Sequence, residues 1–343
     1  MEMENKKILG YGEVLSRFTP QAHSQLIEQS SNFSLSFAGS ESNILANLSR
    51  IGHKTALISS LPNNSLGESA LRFLSSSGTD TKDISIREGR IGSYFVEHGH
   101  SLRGSKIIYD RLNSCFSNYP VELKTFDNAL KNSSHFVLSG ITPALSKVCR
   151  ENILNAVEIA KNNNVKVVFD LNFRRNLWDG RNALSFMEKI IDNIDVLIGN
   201  IGSISDVFGF KSAFSKSFTE LVHISEDACN FLTDKYNFDI VALTVRNQIN
   251  ATQNELGGLI KINNKFYKGK SFEINIKDRL GGGDAFSAGV IHGLIENYSP
   301  KQIIDFSNSC FALTQTVLGD LNCFSKSDIL EFRSDSYSGH IKR

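Results

Sequence analysis

Three successive glycines and an aspartate, Gly281-Gly282-Gly283-Asp284, separate two runs of opposite periodicity. Residues 272–276 alternate apolar and polar side chains, as a strand does. After the glycines, Phe286, Val290, Ile291, Leu294 and Ile295 recur at helical spacing. A strand that turns through glycine into a helix constrains both fold and chemistry. Without a Cβ the backbone can approach a ligand closely, and the first N–H groups of the helix have no partner within it. Together with the helix dipole they make an anion site. Asp284 at its lip suits a base that deprotonates a hydroxyl while nearby oxygens gain negative charge. The plainer reading of the same residues is a tight turn with Asp284 as an N-cap. Spacing alone does not separate the two. Gly281-x-Gly283-x-x-Phe286 and Gly10-x-Gly12-x-x-Leu15 both lack the third glycine of a dinucleotide fingerprint, and no Gly-x4-Gly-Lys-Ser/Thr occurs.

The rest of the chain reads as α/β. Strands are predicted at 7–12, 55–61, 135–139, 166–171, 195–199 and 240–245. Between them helices are predicted at 40–51, where Ser40 can cap, and at 65–77, 126–131, 144–161 and 183–191. This alternation argues for a parallel sheet covered on both faces. Residues 258–262 and 266–276 read as antiparallel strands, and 284–296 and 300–318 as closing helices. Two early stretches carry short strand-like pieces instead, at 13–37 and at 84–87, 92–97 and 106–111. The chain has 343 residues, enough for one large domain or two small ones. The 37 basic and 36 acidic side chains leave a net charge of +1, which gives no electrostatic case for nucleic acid or a membrane surface. Five scattered cysteines form no Cys-x-x-Cys pair, so reduced thiols in the cytoplasm are expected. No apolar run reaches membrane-spanning length, and no signal peptide is read at the N-terminus. No cluster has metal-ligand spacing, and His98 and His100 read as solvated turn residues.

Residues 278–289 resemble the C-terminal signature of the ribokinase-type (PfkB) carbohydrate kinases. The wider pattern, from Gly12 to about Asn322, is most similar to the 2-keto-3-deoxygluconate kinases of that family. The resemblance implies a ribokinase-like, mostly parallel sheet sandwiched by helices over residues 1–335. It also implies a small β lid formed by about 12–37 and 86–118. It implies ATP and Mg²⁺ as cofactors and leaves open a monovalent cation such as K⁺. Such lids often pair between subunits, so a homodimer through the lid is expected.

Residue by residue, the resemblance makes Asp284 the catalytic base and Gly281, Gly282 and Gly283 the anion cradle. Gly39 and Asn43 match the motif that touches sugar hydroxyls; a simple strand-to-helix turn is the bland alternative. Tyr94, Tyr109 and Arg111 match lid contacts to the substrate, and Tyr109 and Arg111 share a face if both lie on a strand. In the segment from Phe169 to Trp178, Asp170 and Asn172 end a predicted parallel strand, where open α/β sheets bind ligands. Arg174 follows them in the position that meets a substrate carboxylate, as a planar guanidinium can. Asn200 looks like the first residue of an Asn-x-x-Glu motif that organises Mg²⁺ and phosphate, but Ser203 stands where the acid belongs. Thr244 and Arg246 match the start of a nucleotide-binding segment, and Asn308 an adenine-side position. The expected activity is ATP-dependent phosphorylation of the terminal hydroxyl of a sugar acid, such as 2-keto-3-deoxygluconate. Two alternatives stay open: a kinase for a neutral sugar such as fructose, and a sugar-binding regulatory module with weak turnover.

Overall fold

Strands buried on both faces alternate with helices through the middle of the chain, and that alternation builds the larger of two sheets. The computed structural model describes residues 6–213 and 215–333. In chain order, β1 (Lys7–Tyr11) leads to a hairpin of β2 (Leu15–Pro20) and β3 (Phe33–Ala38). Then come α1 (Ser40–Arg50), β4 (Thr55–Pro62), α2 (Ser65–Ser76), β5 (Thr79–Asp80), β6 (Ile84–Arg87), β7 (Gly92–Glu97) and β8 (Lys106–Asp110). The alternating part holds α3 (Cys115–Asn118), α4 (Leu123–Leu130), β9 (Ser133–Ser139), α5 (Thr142–Leu145), α6 (Lys147–Asn162) and β10 (Lys166–Asp170). It continues with α7 (Gly180–Met187), β11 (Val196–Asn200), α8 (Ile201–Phe208), α9 (Phe218–Lys235) and β12 (Ile240–Gln248). The chain closes with β13 (Gln253–Ile262), β14 (Lys265–Lys268), β15 (Phe272–Asn275), α10 (Gly282–Ile295), α11 (Pro300–Thr314) and α12 (Lys326–Arg333).

The large sheet runs β14-β13-β12-β11-β10-β9-β1-β4-β5, with β15 paired to β13 and β6 to β4. It is parallel from β12 through β4 and turns antiparallel at β13. One face packs on a core that includes Phe126, Ile153, Phe186 and Leu232 from α4, α6, α7 and α9. The other packs on Leu45, Leu48, Ala70, Phe286, Ile291 and Phe306 from α1, α2, α10 and α11. Phe286 is fully buried edge-on to Phe311, and burial of a side chain of this size is worth roughly 1.5–3 kcal/mol. Helix α10 is buried from Ala285 through Gly293, so the element that carries Asp284 lies in the interior.

The small sheet is ordered β3-β2-β7-β8, and its strands fall within the two early stretches. Arg17 on β2 ties it to the core. This buried guanidinium is paired with Asp278, just before the glycine turn, and with Asp320 in the loop after α11. Tyr94 Oη also donates to Asp320, at 3.0 Å.

Several elements differ from expectation, each for a local reason. The helix expected over 144–161 is two, because Ser146 adopts extended backbone and its hydroxyl caps α6 through Cys149 N–H. The strand expected over 266–276 is broken at Gly269–Ser271, where Asn308 Nδ2 donates to the Lys270 carbonyl at 2.9 Å. Helix α11 ends at Thr314 rather than 318, and α8, α9 and α12 lie where no helix was anticipated. Gly39, not Ser40, is the N-cap of α1. His98 is buried, stacked on His23 with ring centroids 4.9 Å apart, rather than solvated.

Candidate active site

Strands β10 and β11 end beside the middle of β12, where Asn200 pairs with Thr244, so Asn172, Asn200, Thr244 and Arg246 lie near one another at the sheet edge. The N-terminus of α10 faces these ends across a cavity of about 900 Å³. Its walls include Asp170, Asn172, Arg174, Asn200, Thr244, Arg246, Arg279, Gly281, Gly283, Asp284 and Phe311. A smaller pocket against the small sheet shares Tyr109, Asn172, Arg174, Gly281 and Asp284 with it, and adds Glu13, Gly39, Asn43, Tyr94 and Arg111. Asp284 therefore stands at the junction of the two spaces.

The glycine turn is shaped for this place. Gly281 caps α10 with φ 72°, and a Cβ there would lie 1.9 Å from the Asp320 carbonyl oxygen. Only glycine combines that backbone with that contact. A Cβ on Gly283 would meet nothing within 4 Å, so the space over the free N–H groups of the first turn is open to a ligand.

Asp284 is held by α1. Ser40 Oγ donates to Oδ1 at 3.0 Å, and Asn43 Nδ2 donates to Oδ2 at 2.8 Å. Ser40 in turn accepts from Asn172 Nδ2 at 2.8 Å, and Asn172 N–H donates to Asp170 Oδ1 at 3.1 Å. Asn172 has a positive φ of 28°, a backbone region in which asparagine is enriched. Ser287 Oγ donates to Asp170 Oδ2 at 2.9 Å. Burial pushes the Asp284 carboxyl up to about 7, with the Asp170 charge adding to the rise and the Asn43 bond opposing it. Burial likewise raises Asp170 to about 6. A carboxyl near neutrality can both accept and release a proton.

The remaining residues divide. Tyr94 and Tyr109 face each other across β7 and β8, and both line the small pocket. Arg111 reaches the same pocket but is already paired. Its Nε donates to Glu13 Oε2 at 2.9 Å, and Nη2 bonds the same oxygen. The buried Glu13 therefore neutralises Arg111. Arg174 is exposed at the mouth of both spaces. Asn43 spends its amide on Asp284 and Gly39 rather than standing free for a ligand. Asn200 and Ser203 form a reciprocal capping box for α8. Asp206, the nearest downstream acid, is engaged by Arg175 at 2.8 and 2.9 Å. Asn308 is not on the cavity wall. It is fully buried against Gly258 and Gly269, and Phe311, one turn further along α11, lines the cavity instead.

Arg279 was passed over in the sequence, although it lies inside the glycine segment. It borders the large cavity with no hydrogen bond or ion pair to another described residue, and burial lowers its pKa. Arg246 is half-buried. It donates to Gln315 Oε1 at 3.0 Å and lies 5.5 Å over the Phe311 ring, and its Nη1 has no partner. Burial and the nearby Arg279 charge bring it down to about 9. Two half-buried guanidinium groups without a carboxylate, beside a helix N-terminus, make a site for a multiply charged anion.

Residues 5–327 match the pfkB family of carbohydrate kinases. The chain belongs to that family. This carbohydrate kinase is 27% identical to a 2-dehydro-3-deoxygalactonokinase of Haloferax volcanii over 319 residues, covering 92% of each chain. Among solved structures it is similar to the 2-dehydro-3-deoxygluconokinase of Thermotoga maritima. The TM-score is 0.89 at 31% identity, over 96% of this chain and 99% of that one. A protein described as a ribokinase II from E. coli, solved with ATP and Mg²⁺, shares the fold. Its TM-score is 0.79 at 20% identity, over 95% of this chain and 98% of that one. Among the described residues of this pfkB kinase no helix is long and apolar enough to cross a membrane.

Proposed function

We propose that the protein phosphorylates the terminal hydroxyl of a sugar acid with ATP, most specifically 2-keto-3-deoxygluconate to its 6-phosphate. The observation that carries this reading is the Asp284 carboxyl at the junction of a large cavity and a lid-covered pocket. The sugar acid fits the small pocket, with its hydroxyls toward Glu13 Oε1, a buried acceptor without a partner, and toward Tyr94 and Tyr109. Arg174, which has no carboxylate partner among the described residues, meets its carboxylate, while Arg111 stays paired with Glu13.

ATP fits the large cavity. Its phosphates lie toward the N–H groups of Gly281, Gly282, Gly283 and Asp284 and toward Arg246 and Arg279, with Asn200 and Thr244 on the opposite wall. The hard oxygen donors suit Mg²⁺, which takes one or two carboxylates and completes its shell with phosphate and water. Asp170, with Asn200 near it, would hold the ion, which neutralises charge on the phosphoryl group when bound. Asp284 accepts the proton of the attacking hydroxyl. The sugar oxygen forms a bond to the γ-phosphorus as the bond to the β–γ bridging oxygen breaks, and ADP leaves. The helix N–H groups hold the charge on the transferring group.

The Glu13–Arg111 pair favours a second reading, a kinase for a neutral sugar, since only Arg174 is left without a carboxylate. Coupled ADP release over a panel of sugars and sugar acids separates the two. With Arg174→Leu, kcat/KM for the acid is expected to fall roughly 10–150-fold, the worth of one charged hydrogen bond, while neutral sugars are unaffected. Equal loss on both classes rules out the sugar-acid reading. Replacing K⁺ in the same assay tests a monovalent-cation requirement. A homodimer through the lid is part of the proposal, supported by Leu35 on β3 and Ile108 on β8, both exposed on edge strands of the small sheet. Light scattering of wild type and Ile108→Lys tests it, and a wild-type monomer refutes it. Free cysteines throughout and the ATP requirement suit the cytoplasm.

A further inference from the structure

A second cluster of chemically capable side chains lies at the other end of the helices that hold Asp284. His292 is in the last turn of α10, and Glu296 follows it by four residues, so both project from one face. His53 comes from the loop after α1. One ligand atom of each of these three residues lies within 4.8 Å of those of the other two. Sequence spacing conceals the group, since His53 and His292 are 239 positions apart.

We propose that His53, His292 and Glu296 bind one divalent transition-metal ion of the zinc class. The donor set is two imidazoles and a carboxylate, which suits Zn²⁺ and leaves a fourth position for water. His53 Nε2 and His292 Nδ1 point at each other 2.7 Å apart, so at least one of them presents a lone pair to the cluster. Zinc–nitrogen bonds of about 2.0–2.1 Å in tetrahedral geometry set the two nitrogens roughly 3.3 Å apart, a separation of about half an ångström from where they stand. His292 Nε2 is buried without a partner, so the hydrogen bond to His53 leaves the ring only partly satisfied. Lys326 Nζ holds Glu296 Oε2 at 2.6 Å and competes for the carboxylate.

The position gives the ion a consequence. The first turn of α1 supplies Ser40 and Asn43 to Asp284 in the first turn of α10. A metal at their far ends, about 16 Å away along the 11 residues of α1, would pin the same two helices together without entering the reaction.

The test is equilibrium dialysis of the metal-stripped full chain against Zn²⁺, without nucleotide. Bound metal is measured by atomic absorption, and Co²⁺ reports geometry by its visible bands. The expected result is about one Zn²⁺ per chain with a four-coordinate Co²⁺ spectrum. His53→Ala and Glu296→Gln should each weaken binding at least about tenfold. Glu296 is exposed, so the glutamine variant keeps the fold. Lys326→Gln should strengthen binding by freeing the carboxylate. Cys323→Ser, which removes the exposed thiol, should change nothing. Absence of stoichiometric Zn²⁺, binding that survives both His53→Ala and Glu296→Gln, weaker binding in Lys326→Gln, or loss in Cys323→Ser would each overturn the proposal.

Discussion

Asp284→Asn separates what the carboxylate does for catalysis from what it costs the fold. Burial and the Asp170 charge lift the Asp284 pKa from 3.8 to about 7. A carboxyl raised in the native state adds stability while it is protonated, and that stability is lost as pH climbs from its ordinary value through the raised one. At about 1.4 kcal/mol per tenfold, the ionised form costs the native state roughly 4 kcal/mol at pH 8 and between about 1 and 2 at pH 5. Asparagine carries no charge at either pH. It does lose one acceptor, because its amide meets the Asn43 donor, a penalty of about 1–2 kcal/mol at both pH values. The variant should therefore be roughly 2–3 kcal/mol more stable than wild type at pH 8 and close to it at pH 5. Urea unfolding at the two pH values measures this. Turnover should fall about 10²–10⁴-fold, as loss of a general base does. A stability difference that does not change with pH would show that the carboxylate is not held against its own charge. Retention of more than about a third of wild-type turnover would remove it as the base.

Other substitutions probe the surrounding walls. Arg279→Met and Arg246→Met should each raise KM for ATP about tenfold or more, as loss of a charged hydrogen bond does, with little change in KM for the sugar. The reverse pattern in coupled kinetics would assign them to the sugar. Arg17→Met leaves Asp278 and Asp320 buried without their cation and should destabilise by roughly 3–5 kcal/mol, read as a lower urea midpoint. An unchanged midpoint would mean that water takes the guanidinium's place. Ser203→Glu keeps a capping box with Asn200 and adds an acid at the first turn of α8, so the Mg²⁺ concentration for half-maximal rate should fall. An unmoved Mg²⁺ curve would leave that acid without a role here.

The parts of the fold that could be read in advance are those whose causes are local. The glycine turn, the apolar period of α10 and the alternation from β9 to β12 each lie within a short window. The misses depend on distant partners or on small side chains. Ser40 reads as a cap because its true partner, Asp284, is 244 positions away. Helix α9 buries Val222, Ser225, Ala228, Cys229 and Leu232, and a face with so few large apolar residues gives a weak helical signal. The break between β14 and β15 depends on Asn308, which belongs to another helix. At the site, the pairing of Arg111 with Glu13 could not be read in advance, because Glu13 lies 98 positions earlier and carries no motif.

The pairing of Arg17 with Asp320 has a consequence for how the molecule is made. The two residues are separated by 303 positions. At about 5–20 residues per second, Arg17 leaves the ribosome roughly 15–60 s before its second carboxylate exists. Asp278 appears only shortly before it. Until then a guanidinium destined for burial has neither of its counter-charges. The strand that carries Arg17 is thus translated well before either of the carboxylates it meets in the fold.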